Sequence, residues 1–163
     1  MFSLWNYSVE NDYPNIVLHD CRIVKVLIEN KDLIFEFDDN GFWLTENNKL
    51  NSFRKTLRTD RAQVRFKNID QDFTHIYVFK NICLFKKSIF TIRKEISLED
   101  FCSKINCGIW QFEIVDELYA YRNVVFNGGM FFNKKPYHRE CQVQIFFETM
   151  TYLWNKICED KAW

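Results

Sequence analysis

Glycine and proline are scarce in this chain, with four glycines and two prolines among 163 residues. Disordered and low-complexity chains are usually richer in both, and they lack the 47% hydrophobic content found here. No apolar run approaches the ~20 residues of a transmembrane helix, and the first residues lack the basic-then-apolar layout of a signal peptide. We therefore expect a folded cytoplasmic protein with no membrane partner, built as one domain over residues 1–163.

Sequence motifs of the common catalytic and phosphate-binding sites are also missing. The chain contains no GxGxxG, Walker, GxSxG or HExxH motif. Loops that cradle phosphate depend on several closely spaced glycines, and two of the four here stand together in one short segment. We expect a non-catalytic protein that binds no cofactor.

Cysteine is present six times, but no export signal accompanies it, so we expect reduced thiols. A structural zinc takes four Cys or His ligands, and four such residues are available, but their spacing is not typical of zinc sites. We expect these to be core cysteines and a surface histidine: Cys102, Cys107, His138 and Cys141. His19 and Cys21 share one strand face about 7 Å apart, which is too far for a catalytic dyad.

An excess of charge of one sign is missing as well. The chain carries 22 basic and 22 acidic residues, but they are unevenly distributed. Counted along the sequence, residues 1–50 carry −5, residues 51–95 carry +7 and residues 96–163 carry −2. The chain has three alanines, whereas Asn, Ile, Lys and Phe are abundant. This bias indicates an AT-rich genome, and we expect a bacterial source.

Alternating apolar and polar residues dominate the sequence, and this pattern is typical of β-strands. Asn40-Gly41 predicts a hairpin between strands at 33–38 and 42–45, and 127–129 (Asn-Gly-Gly) predicts a second one. Lys86-Lys87-Ser88 predicts another turn. Residues 46–61 predict a short helix or an ordered loop, and 155–163 a tail or helical turn. The remaining strands are predicted at 22–29, 63–68, 74–85, 89–95, 109–126 and 141–152.

One helix has a clear start, at Ser97. A serine N-cap followed by acidic residues and a four-residue apolar spacing predicts a short helix near 97–106. About nine strands joined by tight turns favour a mainly β fold, an antiparallel β-sandwich or partly open barrel.

Carboxylates in the long strand over 109–126 form the first candidate site. The alternation places Asp116 on an apolar face, where it must be paired, line a cavity or mark a β-bulge. The opposite face carries Glu113, Glu117 and Tyr119, and Glu148 follows on the last predicted strand. Together these residues predict a ligand face suited to small-molecule binding or to hydrolysis by paired carboxylates.

A basic segment over residues 53–67 forms the second candidate site. Arginine and aromatic residues alternate there, which is typical of protein interfaces and also of nucleic-acid contacts. The acidic first third of the chain is available to neutralise it. The predicted contact residues are Arg54, Arg58, Arg61, Arg65 and Phe66.

These observations favour a protein-binding domain, such as an immunity protein that neutralises a toxin or a regulatory protein. We expect it to be a monomer or a symmetric dimer. Two alternatives remain open. One is a small-molecule-binding or hydrolytic β-barrel that uses the strand carboxylates. The other is binding of RNA or single-stranded DNA through residues 53–67, which the missing cationic excess disfavours.

Overall fold

A computed structural model describes residues 5–85 and 87–163 of the protein. The chain is mainly β, with 59% of its residues in strands and 8% in helices. One α-helix, α1 (Leu98–Asn106), and one short 3-10 turn (Gln71–Phe73) interrupt the strands. The strands are β1 (Tyr7–Glu10), β2 (Ile16–Val17), β3 (Cys21–Glu29), β4 (Asp32–Phe37), β5 (Trp43–Leu44), β6 (Leu57–Thr59), β7 (Ala62–Lys67), β8 (His75–Leu84), β9 (Lys87–Ile96), β10 (Trp110–Ala120), β11 (Asn123–Phe132), β12 (His138–Phe146), β13 (Thr149–Trp154) and β14 (Ile157–Ala162).

The strands form two sheets. Ten of them make one antiparallel sheet in the order β1-β13-β7-β4-β3-β10-β11-β12-β8-β9, and four make a small sheet in the order β14-β6-β5-β2. The predicted mainly β antiparallel fold with one short helix is confirmed. The strands outnumber the nine expected because β1, β2, β6 and β14 also pair and because the predicted strand at 141–152 divides into two.

The large sheet curls over itself so that its apolar face is buried. β12 and β13 lie in opposite halves of the sheet although only Phe147 and Glu148 separate them in sequence. Phe35 of β4 and Phe126 of β11 belong to the two halves, yet their ring centroids are 6.3 Å apart. The two halves therefore pack face to face, and aromatic side chains fill the space between them.

α1 covers part of the remaining apolar face. The Ser97 hydroxyl accepts a hydrogen bond from the Asp100 amide at 3.1 Å, which is the N-cap that the sequence predicts. Phe101 and Ile105 are buried, and the Phe101 ring packs near Phe112 of β10. Within the described ranges, no helix has the length and apolar character needed to cross a membrane.

The turn at Gly41 forms, but the predicted hairpin around it is wrong. The Gly41 amide donates to the Asp38 carbonyl at 3.0 Å, yet β5 then leaves β4 and pairs with β2 and β6. The Gly41 backbone also packs so closely on Asp60 that a Cβ would lie 2.0 Å from its carbonyl oxygen. β4 instead forms its hairpin with β3, through a turn at Asn30, which has a φ of 58°.

The second predicted hairpin is also misplaced. Residues 127–129 lie inside β11, and the chain turns between β10 and β11 at Tyr121 and Arg122. Gly128 is needed for close packing, since a Cβ there would lie 2.0 Å from the Glu113 carbonyl oxygen on β10.

Four other segments bear on the sequence prediction. Residues 46–56 form a loop without a helix, and 155–163 contain the strand β14, which pairs with β6. The run over 141–152 divides between β12 and β13. Of the predicted turn at 86–88, Lys87 and Ser88 belong to β9, and Lys86 lies outside the described residues.

We predict that Gly128→Ala destabilises the fold by about 2 kcal/mol or more, because its methyl group would overlap the β10 backbone. Gly108→Ala is the matched control. Nothing lies within 4 Å of a Cβ at Gly108, so only its φ of +70° opposes the change, at a cost of about 1 kcal/mol. Urea unfolding of both variants measures the difference, and equal losses would contradict the close packing of β10 on β11.

Candidate functional site

A β-bulge in β10 decides which carboxylate faces the interior. The pairing of β10 with β11 shifts between Ile114 and Asp116. As a result Asp116 is exposed, and Glu117 is buried with 7% of its surface exposed. Of the three alternatives that the sequence leaves for Asp116, the β-bulge is therefore the one that forms, and it turns this side chain away from the apolar face.

Glu117 is held by two hydrogen bonds in a buried cluster. Its Oε1 accepts from the Leu18 amide at 3.0 Å, and its Oε2 accepts from the Tyr119 hydroxyl at 3.1 Å. The Tyr119 hydroxyl lies 3.3 Å from that of Tyr152. Burial raises the pKa of Glu117 to about 7, although both hydrogen bonds oppose the rise.

The other members of the predicted ligand face lie at separate places. Tyr119 and Glu148 border a cavity of about 480 Å³, and Glu117 is not among its lining residues. Glu148 also accepts a hydrogen bond from Asn68 at 2.7 Å. Glu113 pairs with Arg22 at 2.6 Å on another part of the sheet. The five predicted residues thus do not converge on one reacting centre.

Part of the basic segment is neutralised by the acidic first third of the chain. Arg61 pairs with Glu36 at 2.8 Å. Arg65 pairs with Glu29 at 2.8 Å and with Asp32 at 3.4 Å. Because these cations are already compensated, they offer a weak attraction to an outside anion.

The remaining residues of the predicted contact surface have different environments. Phe66 is fully buried, so a partner does not reach it. The Arg58 guanidinium stacks 4.1 Å from the centroid of the Trp43 ring and donates to the Asp20 carbonyl at 2.9 Å. Arg54 is exposed on the loop before β6.

The histidine and cysteine candidates do not form a metal or nucleophile site. Across residues 5–85 and 87–163, no three His, Cys, Asp or Glu side chains are arranged to hold a metal. Cys21 is buried, and burial raises the pKa of its thiol well above the usual range. Burial also raises the pKa of Cys102 to about 11 and of Cys141 to about 12, so these thiols stay protonated and poorly nucleophilic.

A cationic groove, which the sequence analysis did not identify, lies where the curled sheet and α1 leave the apolar face uncovered. It has a volume of about 570 Å³ and crosses the ends of several neighbouring strands beside α1. Val78 forms part of its floor, opposite Lys94 in the β8–β9 pairing. Trp110 and Phe132, which are directly opposed on β10 and β11, form another part.

The groove is rich in cations that lack ionic partners. Across the described chain, none of its five basic side chains forms an ion pair with a carboxylate. The Lys104 ammonium lies 4.5 Å from the centroid of the Trp110 ring, so an aromatic surface adjoins the charge. Glu95 and Asp100 are the acidic members of the lining. The basic residues are Lys94, Lys104, Lys134, Lys135 and Arg139.

An exposed apolar strip continues from the groove along the β8–β9 hairpin. Ile92 and Phe90 follow Lys94 at two-residue spacing, so they lie on the same face of the sheet. They stand opposite Lys80 and Ile82 on β8. Phe90 is 54% exposed and Ile92 is 45% exposed, which is unusual for side chains on the apolar face of a sheet.

The sequence carried one local signal for this groove, the pair Lys134-Lys135 before Pro136. Its other cations, Lys94, Lys104 and Arg139, stand on separate elements, and the net charge of −2 over residues 96–163 conceals the last two. Only the fold brings β9, α1 and the β11–β12 connection together.

The chain matches no family model, and no curated protein or solved structure matches it significantly.

We predict that Glu117→Gln changes how stability depends on pH. The folded pKa of about 7 lies above the ordinary value of 4.5, so the proton on Glu117 stabilises the folded state at low pH. This contribution is lost as the pH rises through about 7, by an amount on the order of 3 kcal/mol. The glutamine stays neutral, so the variant should gain stability relative to the wild type between about pH 5 and pH 8.5.

Urea unfolding across this pH range measures the difference. Asp116→Asn is the control, because it removes a carboxylate from the same strand at an exposed position. If the stabilities of the wild type and of Glu117→Gln changed in parallel over this pH range, burial would not raise the pKa of Glu117, and the prediction would be wrong.

Proposed function

We propose that the protein is a non-catalytic binding domain whose groove and adjoining hairpin strip bind an acidic, partly apolar segment of another protein. The single observation that carries this proposal is the set of five uncompensated cations beside an uncovered apolar surface. An acidic block of the partner would lie against the groove, and an apolar block against Phe90 and Ile92.

Electrostatics favours the groove, and not the basic segment at 53–67, as the binding surface. Arg61 and Arg65 of that segment already contact carboxylates of β3 and β4. The cations of the groove have water as their alternative partner, so an incoming carboxylate displaces water and breaks no ion pair. Two of the arginines predicted from sequence, Arg61 and Arg65, thus hold neighbouring strands together.

The chemistry of the strip favours a polypeptide over a nucleic acid. Apart from Phe90, the apolar side chains of the strip are Ile82 and Ile92, which pack against other apolar groups but offer no ring on which a base stacks. Glu95 and Asp100 in the wall also repel a continuous phosphate backbone. Nucleic-acid binding is therefore an outcome of the test below and is not the function we propose.

The small-molecule alternative has one supporting feature, the cavity of about 480 Å³ beside Tyr119 and Tyr152. The one buried carboxylate nearby, Glu117, reaches this cavity only through the Tyr119 hydroxyl. We rank this function second, because no pair of carboxylates borders the cavity.

The proposal places the protein in the cytoplasm of a bacterium. All six cysteines are free thiols, as a reducing compartment would keep them. The composition bias toward Asn, Ile, Lys and Phe supports a bacterial source.

We predict that Lys134→Glu/Lys135→Glu weakens binding of an acidic-apolar peptide by about tenfold or more, because two attractive charges become repulsive. The probe is a fluorescein-labelled peptide that joins an acidic block to an apolar block, and fluorescence anisotropy measures its affinity. Binding by the wild type should weaken between ~50 and ~500 mM salt.

The matched control is Lys49→Glu/Lys156→Glu, which makes the same change of charge at exposed lysines outside the groove. It should leave the affinity within about twofold of the wild type. No binding of the peptide, or equal losses in the two double variants, would overturn the proposal. Tighter binding of oligothymidylate than of the peptide would favour the nucleic-acid alternative.

A further inference from the structure

A hollow lies on the outer face of the large sheet, at a point where β11 has no side chain. Gly129 is paired with Glu113 of β10 on one side and with Glu140 of β12 on the other. Directly opposed residues of neighbouring strands share one face of a sheet, so both carboxylates stand beside the glycine. The gap between them is part of an open hollow of about 500 Å³.

Aromatic and amide side chains form the two ends of the hollow. Phe131 and His138 stand at one end, with their ring centroids 5.1 Å apart. Asn127 and Gln142 stand at the other end, where the Gln142 amide donates to the Asn127 carbonyl oxygen at 2.9 Å. No other hydrogen bond among the described residues involves these two side chains, so the Asn127 amide and the Gln142 carbonyl keep a donor and an acceptor for a ligand.

Arg22 holds the β10 side of the hollow in place. Its Nη2 donates to the Glu113 carboxylate at 2.6 Å, and its guanidinium lies 5.2 Å from the centroid of the Phe131 ring. Glu113 is therefore compensated, whereas Glu140 forms no ion pair within the described chain. The hollow thus combines donors and acceptors at defined positions, as ligand sites do.

We propose that this hollow binds one sugar ring of a neutral oligosaccharide. A hydroxyl group both donates and accepts hydrogen bonds, so it matches the Glu140 carboxylate, the Asn127 amide and the Gln142 carbonyl. The C–H groups of a sugar ring pack against the negative face of an aromatic ring, here Phe79. An ammonium ligand only donates, and it would leave the Asn127 amide facing another donor.

A second, smaller hollow adjoins the first one and favours a chain of sugars over a single small molecule. It has a volume of about 280 Å³, and Phe79, His138 and Glu140 line both hollows. These shared side chains form the boundary between the two hollows. A sugar ring in the first hollow therefore leaves room for the next ring of the chain in the second.

The hollow and the cationic groove lie on opposite faces of the sheet. Phe131 lines the hollow and Phe132 lines the groove, and neighbouring residues of a strand point to opposite faces. Sugar binding in the hollow therefore does not depend on the binding of an acidic segment in the groove, and either proposal can fail alone.

Titration with neutral trisaccharides tests the proposal. The probes are cellotriose, maltotriose, mannotriose and triacetylchitotriose, each added up to ~10 mM because we expect a Kd on the order of 1 mM. The side-chain amide signals of Asn127 and Gln142 in a ¹⁵N–¹H NMR spectrum, assigned by single substitutions, report binding. At least one trisaccharide should shift both signals until they saturate. No shift with any of the four, or tighter binding of the polyamine spermidine, would overturn the proposal.

Gln142→Ala should weaken the affinity for that trisaccharide by about fivefold, because it removes a group that bonds to the sugar. Gln144→Ala is the matched control, since Gln144 lies on the same strand and face but does not line the hollow. It should leave the affinity within about twofold of the wild type. The Asn127 amide signal measures both affinities, and equal losses in the two variants would contradict the site.

Gly129→Val places a side chain in the hollow and should weaken binding by about tenfold or more. A Cβ at Gly129 would lie 2.7 Å from the His138 Nε2 atom, which is at the end of an exposed side chain that can move aside. Circular dichroism verifies that the variant folds. A folded Gly129→Val that binds the trisaccharide like the wild type would show that the sugar binds elsewhere.

Discussion

Burial of one apolar sheet face is the constraint on which the rest of this structure depends. A ten-stranded sheet with a single nine-residue helix has too little helix to cover that face. The sheet therefore curls until β4 and β7 pack against β11, with Phe35, Phe66 and Phe126 between them. The curl leaves the β8–β9 end uncovered, and the cationic groove lies at this end.

Charge is distributed according to the same geometry. Carboxylates of β3 and β4 lie beside Arg61 and Arg65 of β6–β7 and neutralise them where the strands are paired or adjacent. Cations that line the groove at the open end form no such ion pairs, and the acidic residues beside them there are Glu95 of β9 and Asp100 of α1. A chain whose net charge is zero thus presents a locally cationic surface.

The fold class and the helix were predictable from sequence because their signals are local: strand alternation, and the Ser97 cap. The turns were not. Gly41 and Gly128 resembled hairpin residues but serve close backbone contacts, which depend on distant residues. Nothing in the sequence marks Arg122 as a turn residue with a φ of 53°. The β-bulge that leaves Asp116 exposed and Glu117 buried likewise depends on pairing with β11. The groove combines elements that are distant in sequence, and alternation within one strand does not predict it.

The most direct test of the proposed binding face compares two tryptophan indole signals during titration with the acidic-apolar peptide. Trp110 lies in the cationic groove, and Trp43 lies under Arg58 in the basic segment. Their indole N–H resonances, assigned by single Trp→Phe substitutions, report the two competing surfaces in one NMR spectrum. The account predicts that the Trp110 signal shifts with peptide concentration while that of Trp43 stays in place. A shift of the Trp43 signal alone would contradict it.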